Sequence, residues 1–210
     1  MINKQQEHKK AGRLEIVCGP MFSGKTEELI RRLRRASIAK QNVIAFKHTI
    51  DQRFSFECIA SHNGNKIDAQ VIEKPEQMID YAKKAPIDVV GIDEVQFFDT
   101  SVIFVIEELI NMGKRVIAAG LDLDFRALPF GPMPTLLAIA DDITKLKAIC
   151  CVCSKDAPFT QRLIDGNPAR CSDPIILVGA QECYQARCRS CYKIDQLPLT
   201  YHKKLFEQEK

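Results

Sequence analysis

Gly19, Gly24, Lys25 and Thr26 occupy the fixed positions of G-x-x-x-x-G-K-[ST] in "GPMFSGKT". That spacing suits phosphate chemistry. Successive backbone N–H groups of such a loop turn inward at phosphate oxygens, and glycine permits the curl. Lys25 is expected to reach the β- and γ-phosphates, and the Thr26 hydroxyl to ligate Mg²⁺. A second cluster closes the apolar run "VVGIDEVQFF", Val89 to Phe98. Asp93 is placed to hold Mg²⁺, directly or through water. Glu94, one residue on and pointing the other way, is placed to take a proton from an attacking hydroxyl or water. The bland alternatives are a chance glycine turn and a surface acidic pair. The two motifs in this order, each at the end of an apolar run, argue for the chemical reading.

A third cluster is made of sulfur. Of nine cysteines, Cys150 with Cys153 and Cys188 with Cys191 form two C-x-x-C pairs. Two such knuckles present four thiolates around one ion with no open position, which suits structural Zn²⁺. A redox pair is the rival reading, weakened because there are two pairs. Cys151 offers only a C-x-C bite, so Cys150 is preferred. Cys18, Cys58, Cys171 and Cys183 have no partner pattern and are expected to be buried or incidental thiols. The opening "MINKQQEHKKAG" lacks the apolar core of an export signal, so metal ligation is favoured over disulfides.

These groups need a scaffold. "RLEIVCG" before the phosphate loop reads as a buried strand. The helix after it carries Leu29, Ile30 and Leu33 on one face and arginines on the other. Further strands are expected over Asn42 to His48, Ile67 to Ile72, Asp88 to Asp93, Arg115 to Leu121 and Ile143 to Ala148. Helices are expected over Glu76 to Lys84, Ser101 to Met112 and Thr135 to Ala140. Thr49 to Lys66 is polar and without period, and is expected to be a loop. Alternating strands and helices imply a parallel sheet covered on both faces, with ligands at the carboxyl ends of its strands. Beyond Ala148 cysteines and prolines replace the alternation. The expected division is a tail over 1–12, an ATP-binding α/β domain over 13–148, a zinc-binding lid over 149–195 and a second tail over 196–210.

Composition narrows the function classes. The 210 residues allow one medium domain with a small module. A net charge of +3 is poor support for a nucleic-acid motor. The run "RRLRR" is read as a solvated helix face rather than a nucleic-acid patch. No apolar run approaches the roughly 20 residues that span a bilayer. Phe97, Phe98 and Phe125 follow strand ends and could stack on a flat ring, although phenylalanine is more often core.

Taken together, "GPMFSGKT", "DEVQFF", "GLDLDFRALPFGP", "CCVCSKDAPFTQRL" and "ILVGAQECYQARCRSC" resemble the type II thymidine kinase family. The resemblance spans about Gly12 to Tyr192. It implies an α/β P-loop (RecA-like) parallel sheet with a zinc-bound lasso. It implies transfer of the γ-phosphate of ATP to the 5′-hydroxyl of deoxythymidine, with Mg²⁺ at Thr26 and Asp93 and Glu94 as base. ATP would contact Gly19, Pro20, Met21, Phe22, Ser23, Gly24, Lys25 and Thr26, and also Asp93, Glu94, Val95 and Gln96. The nucleoside would meet Met21, Phe97, Leu121, Phe125, Thr160 and Tyr184. It would also meet Arg53 and the lasso Ile175, Ile176, Leu177, Val178 and Gly179. Cys150, Cys153, Cys188 and Cys191 would bind zinc. The family pattern further implies a cytoplasmic homotetramer inhibited by dTTP, with no nucleic-acid or membrane partner. Ala127 and Ala180 stand where glycine is common, Cys183 is unusual, and Tyr192 stands where histidine is often seen. The competing classes are a nucleic-acid-dependent ATPase and a nucleotide sensor without catalysis. Glu94 speaks against the sensor, which needs no base.

Overall fold

Buried apolar residues alternate from face to face along the central strands, so the sheet must be covered on both sides. The structure is a computed structural model and describes residues 11–50, 58–60, 64–175 and 183–194. Two compact units divide these residues. The first draws on 11–19, 24–122 and 129–146, the second on 20–23, 123–128 and 147–194.

The first unit runs through β1 (Arg13–Cys18), α1 (Lys25–Ile38), β2 (Val43–His48), β3 (Cys58–Ala60), β4 (Lys66–Asp68) and β5 (Gln70–Ile72). It continues through α2 (Gln77–Lys84), β6 (Val89–Asp93), α3 (Ser101–Asn111), β7 (Arg115–Gly120), α4 (Met133–Ile139) and β8 (Asp142–Lys145). Six strands form one sheet in the order β5-β2-β6-β7-β1-β8, and every neighbouring pair is parallel. The expected α/β fold is therefore present. Leu14, Ile16, Val90, Ile92, Val116 and Ala118 pack on one face with α2, α3 and α4. Val17, Val89, Ile117 and Ala119 pack on the other with Leu29, Ile30 and Leu33 of α1. Each fully buried Leu or Ile of that helix stabilises by roughly 1.5–3 kcal/mol. At Gly91 a Cβ would stand 2.5 Å from Leu33 Cδ1, so glycine sets how closely helix and sheet approach.

Parallel pairing brings the strand ends that matter to one edge. Cys18 stands opposite Gly120, and Lys47 opposite Asp93. Deeper in the same sheet, the buried Glu15 carboxylate is held by Arg115 at 2.6 Å, and by Arg32 and Arg13 at 2.9 Å each. Arg31 and Arg32 also pair with Glu28. Those two arginines of the basic run are thus engaged within the unit.

Three expectations are corrected. The segment read as an unstructured loop contains β3, which pairs antiparallel with β4. The single strand expected over Ile67 to Ile72 is two strands. The chain leaves β4 at Asp68, turns at the buried Ala69, and enters β5, which joins the main sheet beside β2. The last strand of the sheet is shorter than expected, ending at Lys145.

The second unit contains β9 (Ala148–Ile149), β10 (Asp156–Ala157), β11 (Phe159–Ile164), β12 (Asn167–Pro168) and β13 (Cys183–Arg187). All its pairs are antiparallel: β9 with β10, and β11 with both β12 and β13. Among the described residues, one buried cluster there is built of Ala148, Ala157, Ala186 and the cysteines 150 and 188, with Cys191 against it. So little apolar volume does not hold short strands together, and small modules of this kind need a staple. Among the described residues, no helix is long and apolar enough to cross a membrane.

Candidate active site

In the first unit, the phosphate loop leaves β1 at Gly19 and re-enters at Gly24. Gly24 has φ 85°, a left-handed conformation that glycine adopts without a Cβ penalty. Its carbonyl accepts the N–H of Glu28 at 3.0 Å, which starts α1. Lys25 is the first helical residue and is buried. Thr26 follows, and its Oγ1 lies 3.2 Å and 3.4 Å from the two carboxylate oxygens of Asp93. Asp93 ends β6, and its Oδ1 accepts the N–H of Glu94 at 3.1 Å.

Glu94 is not the next residue of an extended strand, as the alternation argument assumed. It has φ 50° and ψ 44° and precedes a single 3₁₀ turn, Val95–Phe97. A non-glycine residue in this region costs about 1 kcal/mol, and such strain clusters at functional sites. The turn directs Gln96 back toward Glu94. Gln96 Nε2 donates to Glu94 Oε2 at 2.5 Å, while its Oε1 accepts the N–H of Leu121 at 3.0 Å. The Leu121 contact fixes the amide orientation, because only the oxygen accepts from an N–H. A Cβ at Gly120 would stand 2.6 Å from that same oxygen, so the turn after β7 leaves room for it. Among the described residues, Phe97 meets Phe130 edge-on at 6.0 Å. Phe98 is core, edge-on to His48 at 4.8 Å.

Four further side chains stand at strand ends. Lys47 at the end of β2 is only 1% exposed and stands opposite Asp93 in register. A lysine inside the apolar run "NVIAFKH" was the signal for it. Asp122, just after β7, pairs with Lys145 of β8 at 2.7 Å and raises the lysine's pKa. Burial, and then the Asp122 carboxylate, push the Cys18 thiol up to about 11. Cys18 therefore stays protonated and inert, in line with a buried thiol.

The second unit holds the tip of the phosphate loop. Ser23 Oγ donates to the Pro20 carbonyl at 2.8 Å, and the Met21 N–H donates to Thr160 Oγ1 at 3.0 Å. Phe22 is left-handed at φ 65° and half exposed. Thr160 belongs to β11 and is buried. Phe125 is 5% exposed, with the Arg162 guanidinium 5.1 Å from its ring centroid. Asp124 shapes that loop. Its Oδ1 accepts the N–H groups of Arg126 at 2.8 Å and Leu128 at 3.1 Å, and its Oδ2 pairs with the Arg126 guanidinium at 2.6 Å. Ala127, where glycine is common in the resembling family, sits at φ 60°. Tyr192 Oη donates to the Phe125 carbonyl at 2.6 Å. Burial, and then the Asp124 carboxylate, raise the Tyr192 phenol far above its ordinary pKa, so it stays a neutral donor.

Cys150, Cys153, Cys188 and Cys191 come together, with their sulfurs all within 4.8 Å of one another. Cys153 Sγ lies 3.5 Å from Cys188 Sγ and 3.6 Å from Cys191 Sγ. Sulfurs on a tetrahedral zinc stand about 3.8 Å apart for bonds of about 2.3 Å. The donor set is therefore compatible with zinc. Without a cation so many thiolates repel, and hydrogen bonding to Cys188 and Cys153 pushes Cys191 up to about 12. Cys151 is exposed and outside the cluster.

Of the other expected contacts, Ile175 is exposed and Tyr184 is half-buried on β13, opposite Arg162 in register. Arg53, Ile176, Leu177, Val178 and Gly179 lie outside the described residues, as does Ala180. The model of the family described as thymidine kinase matches residues 12–192 of the chain.

Proposed function

The chain belongs to the thymidine kinase family, and from that premise we propose that it transfers the γ-phosphoryl group of ATP to the 5′-hydroxyl of deoxythymidine. Membership makes it a phosphotransferase that uses ATP, with thymidine as its substrate. The finer assignment is the proposal. One observation carries it: the Thr26 hydroxyl at the start of α1 lies 3.2 Å from the carboxylate of Asp93, and Glu94 is the next residue, its N–H on that same carboxylate.

Phosphoryl transfer needs positioning and charge neutralisation more than covalent chemistry. The loop Gly19 to Thr26 is assigned to the phosphates, and Lys25 would add positive charge beside them. The hydroxyl of Thr26 and the carboxylate of Asp93 would hold Mg²⁺. They fit it, because they are hard oxygen donors and adjacent ligands of an octahedral Mg²⁺ stand about 3 Å apart. When bound, Mg²⁺ neutralises charge on the β- and γ-phosphate oxygens. Glu94 takes the proton of the 5′-hydroxyl as that oxygen attacks phosphorus and the bond to the β-phosphate oxygen breaks. Gln96 holds the Glu94 carboxylate in place. Phe97, Phe125, Leu121, Met21, Thr160 and Tyr184 are assigned to the nucleoside, with the lasso from Ile175 binding the base through its backbone. A base edge read by main-chain groups discriminates well, since a wrong base leaves buried polar groups unpaired. A cytoplasmic tetramer, inhibition by dTTP and the absence of a nucleic-acid partner belong to the same proposal by family resemblance.

The test is a substrate panel. ADP release with Mg·ATP is measured with each deoxynucleoside and with DNA. Turnover with thymidine and close pyrimidine analogues is the expected result. Turnover stimulated by DNA and indifferent to nucleosides would contradict the proposal.

A further inference from the structure

Tyr192 follows the last cysteine of the metal-binding cluster, yet its side chain serves a different segment. Its hydroxyl donates to the backbone carbonyl of Phe125 at 2.6 Å, across a sequence separation of 67 residues. Its ring is tilted against Phe159, with centroids 4.9 Å apart, so the direction of the phenol is fixed by packing. Phe159 is in turn covered by the Arg189 guanidinium at 4.9 Å, from between the two cysteines of the second knuckle. The next residue continues the pattern. The Lys193 N–H donates to Gln161 Oε1 at 2.8 Å, and Gln161 is the neighbour of Thr160 on β11. Both hydrogen bonds start within two residues of Cys191, and both end beside residues assigned to the nucleoside.

We propose that Tyr192 is a positioning residue for the nucleoside, fixing the Phe125 loop through its carbonyl and tying that loop to the cysteine cluster. The inference rests on the reading that Phe125 contacts the base. The chemistry required is modest. A backbone carbonyl whose partner is fixed loses the freedom to rotate, and the Phe125 ring is carried with it. The Arg162 guanidinium against the ring and the Tyr192 phenol on the carbonyl then set the residue before the nucleoside arrives. Pre-organisation of this kind appears in nucleoside affinity and not in ATP affinity.

The experiment compares Tyr192→Phe, Tyr192→His and Phe125→Ala with the wild-type full-length protein. Thymidine affinity is read by calorimetry without ATP, alongside KM for each substrate, kcat and bound zinc. Tyr192→Phe removes only the hydroxyl. It is expected to weaken thymidine binding about fivefold, the value of one neutral hydrogen bond, with KM for ATP, kcat and zinc content unchanged. Tyr192→His, whose imidazole N–H can donate to the same carbonyl, is expected to recover part of that loss. Phe125→Ala separates the two readings. If it weakens thymidine binding while Tyr192→Phe leaves it untouched, the positioning role is overturned and the Phe125 assignment stands. If Phe125→Ala has no effect, the assignment itself fails and the inference falls with it. Loss of zinc from Tyr192→Phe would replace positioning by a merely structural role.

Discussion

At the scale of the residue, the site depends on side chains whose partners are distant in sequence. Gln96 is the clearest case. The family resemblance places it at the nucleotide, and in the structure its amide bridges Glu94 and the Leu121 N–H. Sequence could not supply the bridge, because it forms only when the turn after β6 and the end of β7 meet. Gln96→Leu is expected to lower kcat by about tenfold or more, the value of a hydrogen bond to a charged group, with KM for ATP nearly unchanged. Steady-state kinetics on both substrates checks this, and an unchanged kcat would refute it. A second residue-scale prediction concerns acid stability. Arg31, and against burial also Arg32, hold the Glu28 carboxyl down to about 2, from an ordinary 4.5. A depressed folded pKa gives stability that is complete above the unfolded value. It is lost as pH falls through the folded one. Glu28→Gln should therefore lower the melting temperature at neutral pH and flatten its fall between about 4.5 and about 2. Melting curves across that window decide it, and an identical slope in both proteins would contradict the account.

At the scale of the element, much was legible. The strand, glycine loop and helix at β1 and α1 stand where the spacing put them, and the two C-x-x-C knuckles do gather four sulfurs. What failed to read was segment geometry set by pairing. β3 is three residues in a polar stretch without period, and it exists because β4 lies beside it. The split between β4 and β5 comes from a change of partner strand at Ala69, which no local pattern announces. The strand alternation expected at Glu94 also fails, because its backbone is left-handed and a 3₁₀ turn follows it. Gly91 and Ala127 allow element-scale tests. Gly91→Ala places a Cβ against Leu33, and overpacking should cost about 1–3 kcal/mol in chemical denaturation. Ala127→Gly relieves a left-handed alanine. It should be neutral or stabilise by up to about 1 kcal/mol, after the unfolded-chain entropy is set against the relief. A loss above that size would mean the alanine methyl has a packing role.

At the scale of the whole molecule, the two units are stabilised by different means. The first has a two-faced apolar core, while the cysteine cluster of the second is surrounded by alanines. Metal removal is therefore expected to act on them unequally. In a chelator titration, thymidine binding should be lost while the helical circular dichroism of the first unit persists. Simultaneous loss of both would count against separate stabilisation. The central claim is the transfer itself, and one measurement reaches it most directly. Wild type and Glu94→Gln are given γ-labelled ATP and thymidine, and label on dTMP is followed together with ATP affinity. The account predicts labelled dTMP from the wild type and a loss of about 10²- to 10⁴-fold in the variant, with ATP affinity retained. Undiminished transfer by Glu94→Gln would remove the base from the mechanism, and no labelled dTMP from the wild type would contradict the proposed reaction.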